Sequence, residues 1–243
     1  MRYLIEFSYD GTNYYGYQKQ PGKITIQEKI EEALKKINSN KYTPITTTGR
    51  TDRGVHALKQ YGHVDMTVKI TEKGLKRALN SNLPDDIYVK NVKIVDDNFH
   101  ARYNVKSKEY MYILNMGEYN PLERNLVYQC NHKLNLEKMK EGIQFFLGEH
   151  DFRAFVTNNK GKYNCIREIT RVSIKQDNDK IYFFFKGTGF LKYQVRNMVG
   201  ILIRVGEEKI EPSEIKIILD SKDRNKTGKT APSHGLYLIN VEY

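Results

Sequence analysis

The sequence predicts an α+β fold made of two pseudo-equivalent halves, residues 1–104 and 105–243, which share a mixed, mainly antiparallel sheet. Helices are expected on one face of that sheet and an active-site cleft on the other. Both halves contain several segments in which apolar and polar residues alternate, as in strands, and at least two with helical periodicity. In addition, the turn-rich Asp177-Asn178-Asp179 separates two strand patterns like a hairpin, which favours antiparallel pairing.

The first half begins with a half-buried strand over residues 3 to 9, which Asp10-Gly11 ends. Thr25 and Glu28 then form a capping-box pattern at the start of a helix that reaches about Asn38. Its apolar residues recur at steps of four, four and three, and they are Ile26, Ile30, Leu34 and Ile37. A strand over 55 to 66, a helix over 71 to 80 and a strand over 87 to 95 complete this half.

The second half follows a seam near residues 98 to 104. Its first strand runs from Lys106 through Tyr110 and Leu114, and the next helix has a buried side made of Leu136, Met139, Ile143 and Phe146. The remaining predicted elements are strands over 168 to 175 and 180 to 186, a long helix over 190 to 205, a shorter helix after Pro212 and a strand over 236 to 243.

The charge balance indicates a polyanionic partner. The formal net charge is +11, from 40 Lys and Arg against 29 Asp and Glu, and it is spread along the chain. Clustered cations bind phosphates by releasing counterions, so nucleic acid is the first expectation and an anionic membrane the second. Because no run of 18 or more apolar residues occurs and the N-terminus reads as a strand, we expect a soluble, cytoplasmic protein. Cys130 and Cys165 lack CxxC spacing, so neither a zinc site nor a disulfide scaffold is expected.

One polar loop stands out as a candidate for chemistry. Gly49 and Gly54 bracket Arg50, Asp52 and Arg53 just before a strand, an arrangement that can hold one carboxylate at a sheet edge. The neighbouring arginines should lower the pKa of Asp52, and an ionised aspartate can act as a nucleophile or a base while the arginines hold phosphates. The alternative is an ordinary turn aspartate that pairs with surface arginines.

The same loop carries a family resemblance. The run Gly-Arg-Thr-Asp, one further residue and Gly-Val-His-Ala, from Gly49 to Ala57, resembles the signature around the catalytic aspartate of the tRNA pseudouridine synthase A family. Other segments resemble that family in the expected order, and they are Tyr9 to Thr12, Phe99 to Arg102, Lys108 to Tyr112, Phe190 to Gly200 and Gly235 to Leu238. The likeness covers essentially the whole chain.

The resemblance implies the pseudouridine synthase fold and an isomerase, a tRNA pseudouridine synthase acting on positions 38, 39 and 40 of the anticodon arm as a homodimer. Asp52 would be the nucleophile, Tyr110 would stack on the flipped base, and Arg196 would be the ion-pair partner of the aspartate. The reaction breaks a glycosidic bond and rejoins the uracil through C5 without redox change. We therefore expect no cofactor and no metal, only a carboxylate and a pocket for an extruded base.

Each assignment has a structural alternative. Tyr110 could be a core aromatic and Arg196 could extend its side chain to water beside an apolar stripe. His56 has no second ligand at metal-site spacing, so a hydrogen-bonding or RNA-contact role is expected for it. The resemblance also places Leu191, next to Phe190, on the substrate side.

Several positions depart from the family pattern. Tyr17 replaces a common tryptophan, Arg53 a frequent alanine and Gln194 a methionine, and residues 158 to 167 match poorly. Three alternatives follow: a paralogue with the same chemistry on another tRNA site or ribosomal RNA, a non-catalytic RNA-binding or RNA-chaperone protein, and a uridine-directed hydrolase or nuclease.

Overall fold

The computed structural model describes residues 1–156 and 164–243, and it divides into two compact units. The first comprises Met1–Lys106 and Tyr237–Tyr243, and the second comprises Ser107–Leu236. The sequence placed all of 105–243 in the second half. The structure instead groups the last residues with the first unit, because the terminal strand pairs there with Tyr237 opposite His56. Most of the poorly matching segment 158–167 lies outside the described residues.

The described residues form strands and helices in the predicted order. The strands are β1 (Arg2–Tyr9), β2 (Thr46–Thr47), β3 (His56–Asp65), β4 (Ile87–Val95), β5 (Ser107–Asn115), β6 (Tyr128–Gln129), β7 (Gly148–Asp151), β8 (Ile166–Asp177), β9 (Lys180–Gly187) and β10 (Leu236–Glu242). The helices are α1 (Ile26–Ile37), α2 (Glu72–Asn80), α3 (Leu136–Ile143), α4 (Gln194–Gly206) and α5 (Glu214–Ser221). All strands and helices predicted from the sequence are present, and β2, β6 and β7 are additional.

In the first unit, the strand order is β4, β1, β3, β10. β1 is antiparallel to both β3 and β4, whereas β10 runs parallel to β3. Tyr3, Ile5 and Phe7 of β1 are completely buried, which matches the predicted alternation. At the start of α1, the Thr25 hydroxyl accepts a hydrogen bond from the Glu28 backbone amide, so this half of the predicted capping box is confirmed.

In the second unit, the strand order is β5, β9, β8, β7, and these neighbours are antiparallel, while β6 pairs in parallel with β5. The predicted hairpin joins β8 to β9 through Asn178, which has the left-handed φ of 51° that asparagine tolerates in turns. Three fully buried rings, Phe146, Phe152 and Phe155, pack edge-on or tilted against each other. Truncating such a ring costs about 3 to 5 kcal/mol.

Two predicted helix bounds were wrong. α4 begins at Gln194 instead of residue 190, because Tyr193 adopts a left-handed φ of 63° that a continuous helix does not allow. The predicted helix through Phe146 leaves α geometry at Ile143 and ends in a short 3-10 turn over Gln144–Phe146.

The predicted α+β class, with mixed but mainly antiparallel strand pairing, is confirmed. Among the helices of the described residues, none has the length and apolar character that crossing a bilayer requires.

Candidate active site

The loop that carries Asp52 lies between β2 and β3, and contacts with Tyr9 and Tyr17 hold it in place. The Val55 amide donates to the Asp52 carbonyl at 3.2 Å, and Gly54 has a φ of 71°, which closes a tight bend around the half-buried aspartate. The Thr51 carbonyl accepts a hydrogen bond from the Tyr17 amide at 3.1 Å. The Thr51 hydroxyl also lies 2.8 Å from the hydroxyl of the buried Tyr9. The residue before Asp52 is therefore fixed by both its backbone and its side chain.

Two glycines allow the segment after β1 to pack directly on this loop. A Cβ atom on Gly11 would lie 2.1 Å from the Val55 carbonyl oxygen, and one on Gly16 would lie 2.8 Å from that of Thr51. Gly16 also has a φ of 90°, a conformation that other residues rarely adopt. Only glycine fits at these two contacts, so the position of Asp52 depends on a segment about 40 residues earlier in the chain.

His56 supports the loop from inside the fold. Its side chain is 2% exposed and its ring stacks on Tyr237 at a centroid distance of 4.7 Å. Nδ1 lies 3.0 Å from an Asp10 carboxylate oxygen and 3.1 Å from the Gly11 amide nitrogen. The hydrogen bond from His56 holds the pKa of Asp10 well below its ordinary value. This burial favours the hydrogen-bonding role predicted for His56 over direct contact with RNA.

The contact between Asp10 and His56 predicts an acid-dependent loss of stability. A carboxylate whose pKa is depressed in the folded state stabilises the protein above its unfolded pKa of about 3.9, and that contribution is lost as the pH falls further. Asp10→Asn should therefore lower the thermal unfolding midpoint at pH 7, and the difference from the unmodified protein should shrink at pH 3. Asp85→Asn, at an exposed position, is the control. An equal difference at both pH values would contradict this role for Asp10.

Arg50 and Arg53 lie on either side of Asp52 with exposed side chains. The Arg53 guanidinium carbon lies 4.2 Å from the centre of the Tyr15 ring, within the range of a cation–π contact. Within the ranges that the structure describes, neither arginine forms an ion pair with a carboxylate. Both cations are therefore available to an anionic ligand.

In the second unit, Tyr110 lies on β5 opposite Phe185 of β9. Its ring is half-buried and meets Phe190 edge-on at 5.0 Å. Tyr112, two residues further along, is completely buried, and its hydroxyl donates to the Pro232 carbonyl at 2.9 Å. The description as a core aromatic therefore fits Tyr112, whereas Tyr110 is only partly buried.

Arg196 lies in the first turn of α4 and is anchored, not extended into water. Its Nε donates to the Ala231 carbonyl at 2.8 Å, and the Ala231 amide donates to the Arg196 carbonyl at 3.1 Å. Its guanidinium also lies 5.2 Å from the centre of the Tyr193 ring. Leu191 is half-buried in the turn before α4, where its amide donates to the Gln194 side chain at 2.8 Å.

The predicted site residues thus fall into two sets. The loop of the first unit contains Arg50, Asp52 and Arg53, and His56 begins the strand that follows it. The second unit contains Tyr110, Leu191 and Arg196. Nowhere in residues 1–156 and 164–243 do three or more His, Cys, Asp or Glu side chains gather in a way that could hold a metal ion.

Comparison with known proteins defines the class. A family model described as tRNA pseudouridine synthase matches residues 6–104 and 143–243, a span that includes the Asp52 loop, β10 and α4. Fold and matched site together define a pseudouridine synthase, an isomerase.

The relatives narrow this class to one family. Proteins named tRNA pseudouridine synthase A from Limosilactobacillus reuteri (strain DSM 20016) and Exiguobacterium sp. (strain ATCC BAA-1283 / AT1b) are 40% and 43% identical to this chain. Both alignments cover 100% of this chain, and they cover 96% and 98% of the relatives. The protein of that name from Pseudothermotoga lettingae is 43% identical over 100% of this chain and 99% of its own. The chain belongs to the tRNA pseudouridine synthase A family.

Proposed function

We propose that this chain converts uridine to pseudouridine at positions 38, 39 and 40 of the tRNA anticodon stem-loop, with Asp52 as the nucleophile. The observation that carries the proposal is the Asp52 loop, which Gly11 and Gly16 contact through backbone alone and which exposes two arginines beside the carboxylate. The names of the relatives support tRNA as the substrate. The family resemblance supports the anticodon positions and the role of the aspartate.

The proposed reaction needs an anionic nucleophile and a rotating base. The bond between the ribose C1′ and uracil N1 breaks, the uracil turns, and a C1′–C5 bond forms. N1 then carries a proton and C5 loses one, so no atom is gained and no electron is transferred. The carboxylate of Asp52 bonds to the sugar when the C1′–N1 bond breaks, and it leaves the sugar again as a free carboxylate when the C1′–C5 bond forms. The enzyme itself needs no cofactor for such an exchange.

We assign the remaining residues from their chemistry and from the resemblance. Tyr110 stacks on the flipped uracil, since aromatic stacking is worth about 1 to 3 kcal/mol per base, comparable to the cost of extruding it. Arg196 is the ion-pair partner that keeps the catalytic aspartate charged, and its anchoring to Ala231 fixes the guanidinium. Arg50 and Arg53 contact phosphates, and Leu191 lies against the substrate. We further propose that the protein acts in the cytoplasm as a homodimer.

The decisive experiment is nucleotide-resolution mapping of pseudouridine in tRNA and in ribosomal RNA, each incubated with the purified protein without added metal or nucleotide. Conversion at positions 38, 39 and 40 is the expected result. Conversion at another tRNA position or only in ribosomal RNA would assign the chain to a paralogue with the same chemistry. Absence of pseudouridine, with bound but unaltered RNA, would overturn the proposal in favour of a non-catalytic RNA-binding protein. Free uracil or cut strands would indicate a hydrolase or nuclease.

Tyr110 should contribute through its ring and not through its hydroxyl. Tyr110→Phe should keep most tRNA binding and turnover, whereas Tyr110→Ala should lose the stacking energy of about 1 to 3 kcal/mol, a roughly five- to 150-fold weaker interaction. Binding titrations and turnover rates at saturating tRNA measure the two effects. Tyr112→Phe is the control, because it removes a buried hydrogen bond and should cost about 1 kcal/mol of stability without weakening tRNA binding. Equal losses in Tyr110→Phe and Tyr110→Ala would exclude the stacking role.

A further inference from the structure

A second, unassigned group of side chains surrounds Arg53. Lys23 Nζ lies 4.5 Å from the centre of the same Tyr15 ring that Arg53 contacts at 4.2 Å. Tyr15 is 38% exposed, and both Lys23 and Arg53 are exposed. We call these three residues the Tyr15 cluster. Two cations therefore share one aromatic ring, and one of them is the residue that follows Asp52.

The backbone holds this cluster in place. The Tyr15 amide donates to the Ile24 carbonyl at 3.0 Å, and the Lys23 amide donates to the Gln20 carbonyl at 3.2 Å, which ties Lys23 next to the ring. On the other side, Gly16 packs against the Arg53 amide, where a Cβ atom would lie only 3.1 Å away. The cations sit on two segments that are already docked on each other, so a ligand that binds them orders little additional chain.

The charge of the cluster is uncompensated. Some surface lysines have carboxylate partners, as in the pairs Lys29–Glu32 and Lys180–Glu123. Lys23 and Arg53 have none within residues 1–156 and 164–243. Two like charges held at one ring repel each other, and an anion bound between them removes that repulsion.

We propose that the Tyr15 cluster is a preorganised phosphate-binding site that contacts the RNA backbone next to the nucleotide at Asp52. The proposal rests on RNA being the substrate and adds Lys23 and Tyr15 to the residues that contact it. Arg53 is the residue after Asp52, so a phosphodiester bound there belongs to the segment of RNA that enters the candidate site. The aromatic ring positions both cations, and both can donate hydrogen bonds to the same phosphate.

The test is the salt dependence of tRNA binding, measured in a protein variant that cannot carry out the reaction. Asp52→Asn protein serves as the parent. Its tRNA binding is titrated at salt concentrations between about 50 and 200 mM, and so is that of the variants that add Lys23→Ala, Arg53→Ala or both. Because both cations bind one phosphate, the double change should reduce the slope of log K against log salt by about 0.7 to 0.9, and each single change by no more than that. Arg53→Lys should restore most of the slope because it keeps the charge. Lys73→Ala removes an exposed charge from α2 and is the matched control.

The outcomes separate this proposal from the proposed function. A double variant with the parent slope, or with no larger change than Lys73→Ala, would overturn the phosphate site even if the unmodified protein makes pseudouridine. A reduced slope would support the site even if the unmodified protein modified an RNA position other than 38, 39 or 40. A reduced unfolding midpoint with an unchanged slope would show that the cluster only stabilises the fold, and it too would overturn the proposal.

Discussion

Asp52→Asn should abolish pseudouridine formation while the protein still folds and binds tRNA. The amide has nearly the shape of the carboxylate but carries no negative charge and cannot form the covalent bond to the sugar. Removing a nucleophile from an enzyme typically lowers kcat on the order of 10⁴-fold or more. Release of tritium from C5-labelled uridine in tRNA measures the reaction directly, because the C5 proton leaves only when the new bond forms.

Asp85→Asn is the matched control for this change, since it neutralises an exposed carboxylate outside the Asp52 loop. It should release tritium at the rate of the unmodified protein. Thermal unfolding of Asp52→Asn should stay close to that of the parent, which would separate a chemical defect from a folding defect. If Asp52→Asn retained release within about tenfold of the parent, the nucleophile would have to be another group.

The parts of the fold that the sequence predicted well depend on local signals. The Thr25 cap and the regular apolar spacing of α1 lie within one helix, and the predicted bounds of β4 agree with the structure. The start of α4 was missed because Tyr193 is left-handed, which no local pattern at residues 190 to 193 reveals. β2 and β6 have two residues each, too few to show an alternation.

The residues of the candidate site could be predicted from the sequence, but the contacts that hold them in place could not. The contacts of Gly11 and Gly16 with Val55 and Thr51 depend on chain packing over about 40 residues, so no local pattern predicts them. Arg196 is anchored because its Nε donates to the Ala231 carbonyl, which lies 35 residues away in the sequence. Likewise, Lys23 looks like an ordinary surface cation in the sequence, and only the structure shows that it shares the Tyr15 ring with Arg53.

These long-range contacts predict that Gly16→Ala will damage catalysis without touching a catalytic group. The new Cβ would meet the Thr51 carbonyl at 2.8 Å, and the φ of 90° adds backbone strain of about 1 to 3 kcal/mol. The Asp52 loop must then shift or the segment must unfold locally. A displacement of about 1 Å at a reacting group can cost on the order of 10²-fold in rate, so we expect kcat to fall by at least that factor.

The control variant Gly148→Ala separates the effect of backbone strain from that of a displaced Asp52 loop. Gly148 has a φ of 98°, close to that of Gly16, but the nearest atom to its added Cβ is 3.8 Å away and belongs to a side chain. Both variants should lower the unfolding midpoint, because both force alanine into a left-handed backbone. Only Gly16→Ala should also lower kcat at saturating tRNA. Equal kcat values in the two variants would show that the contact between Gly16 and Thr51 does not position Asp52.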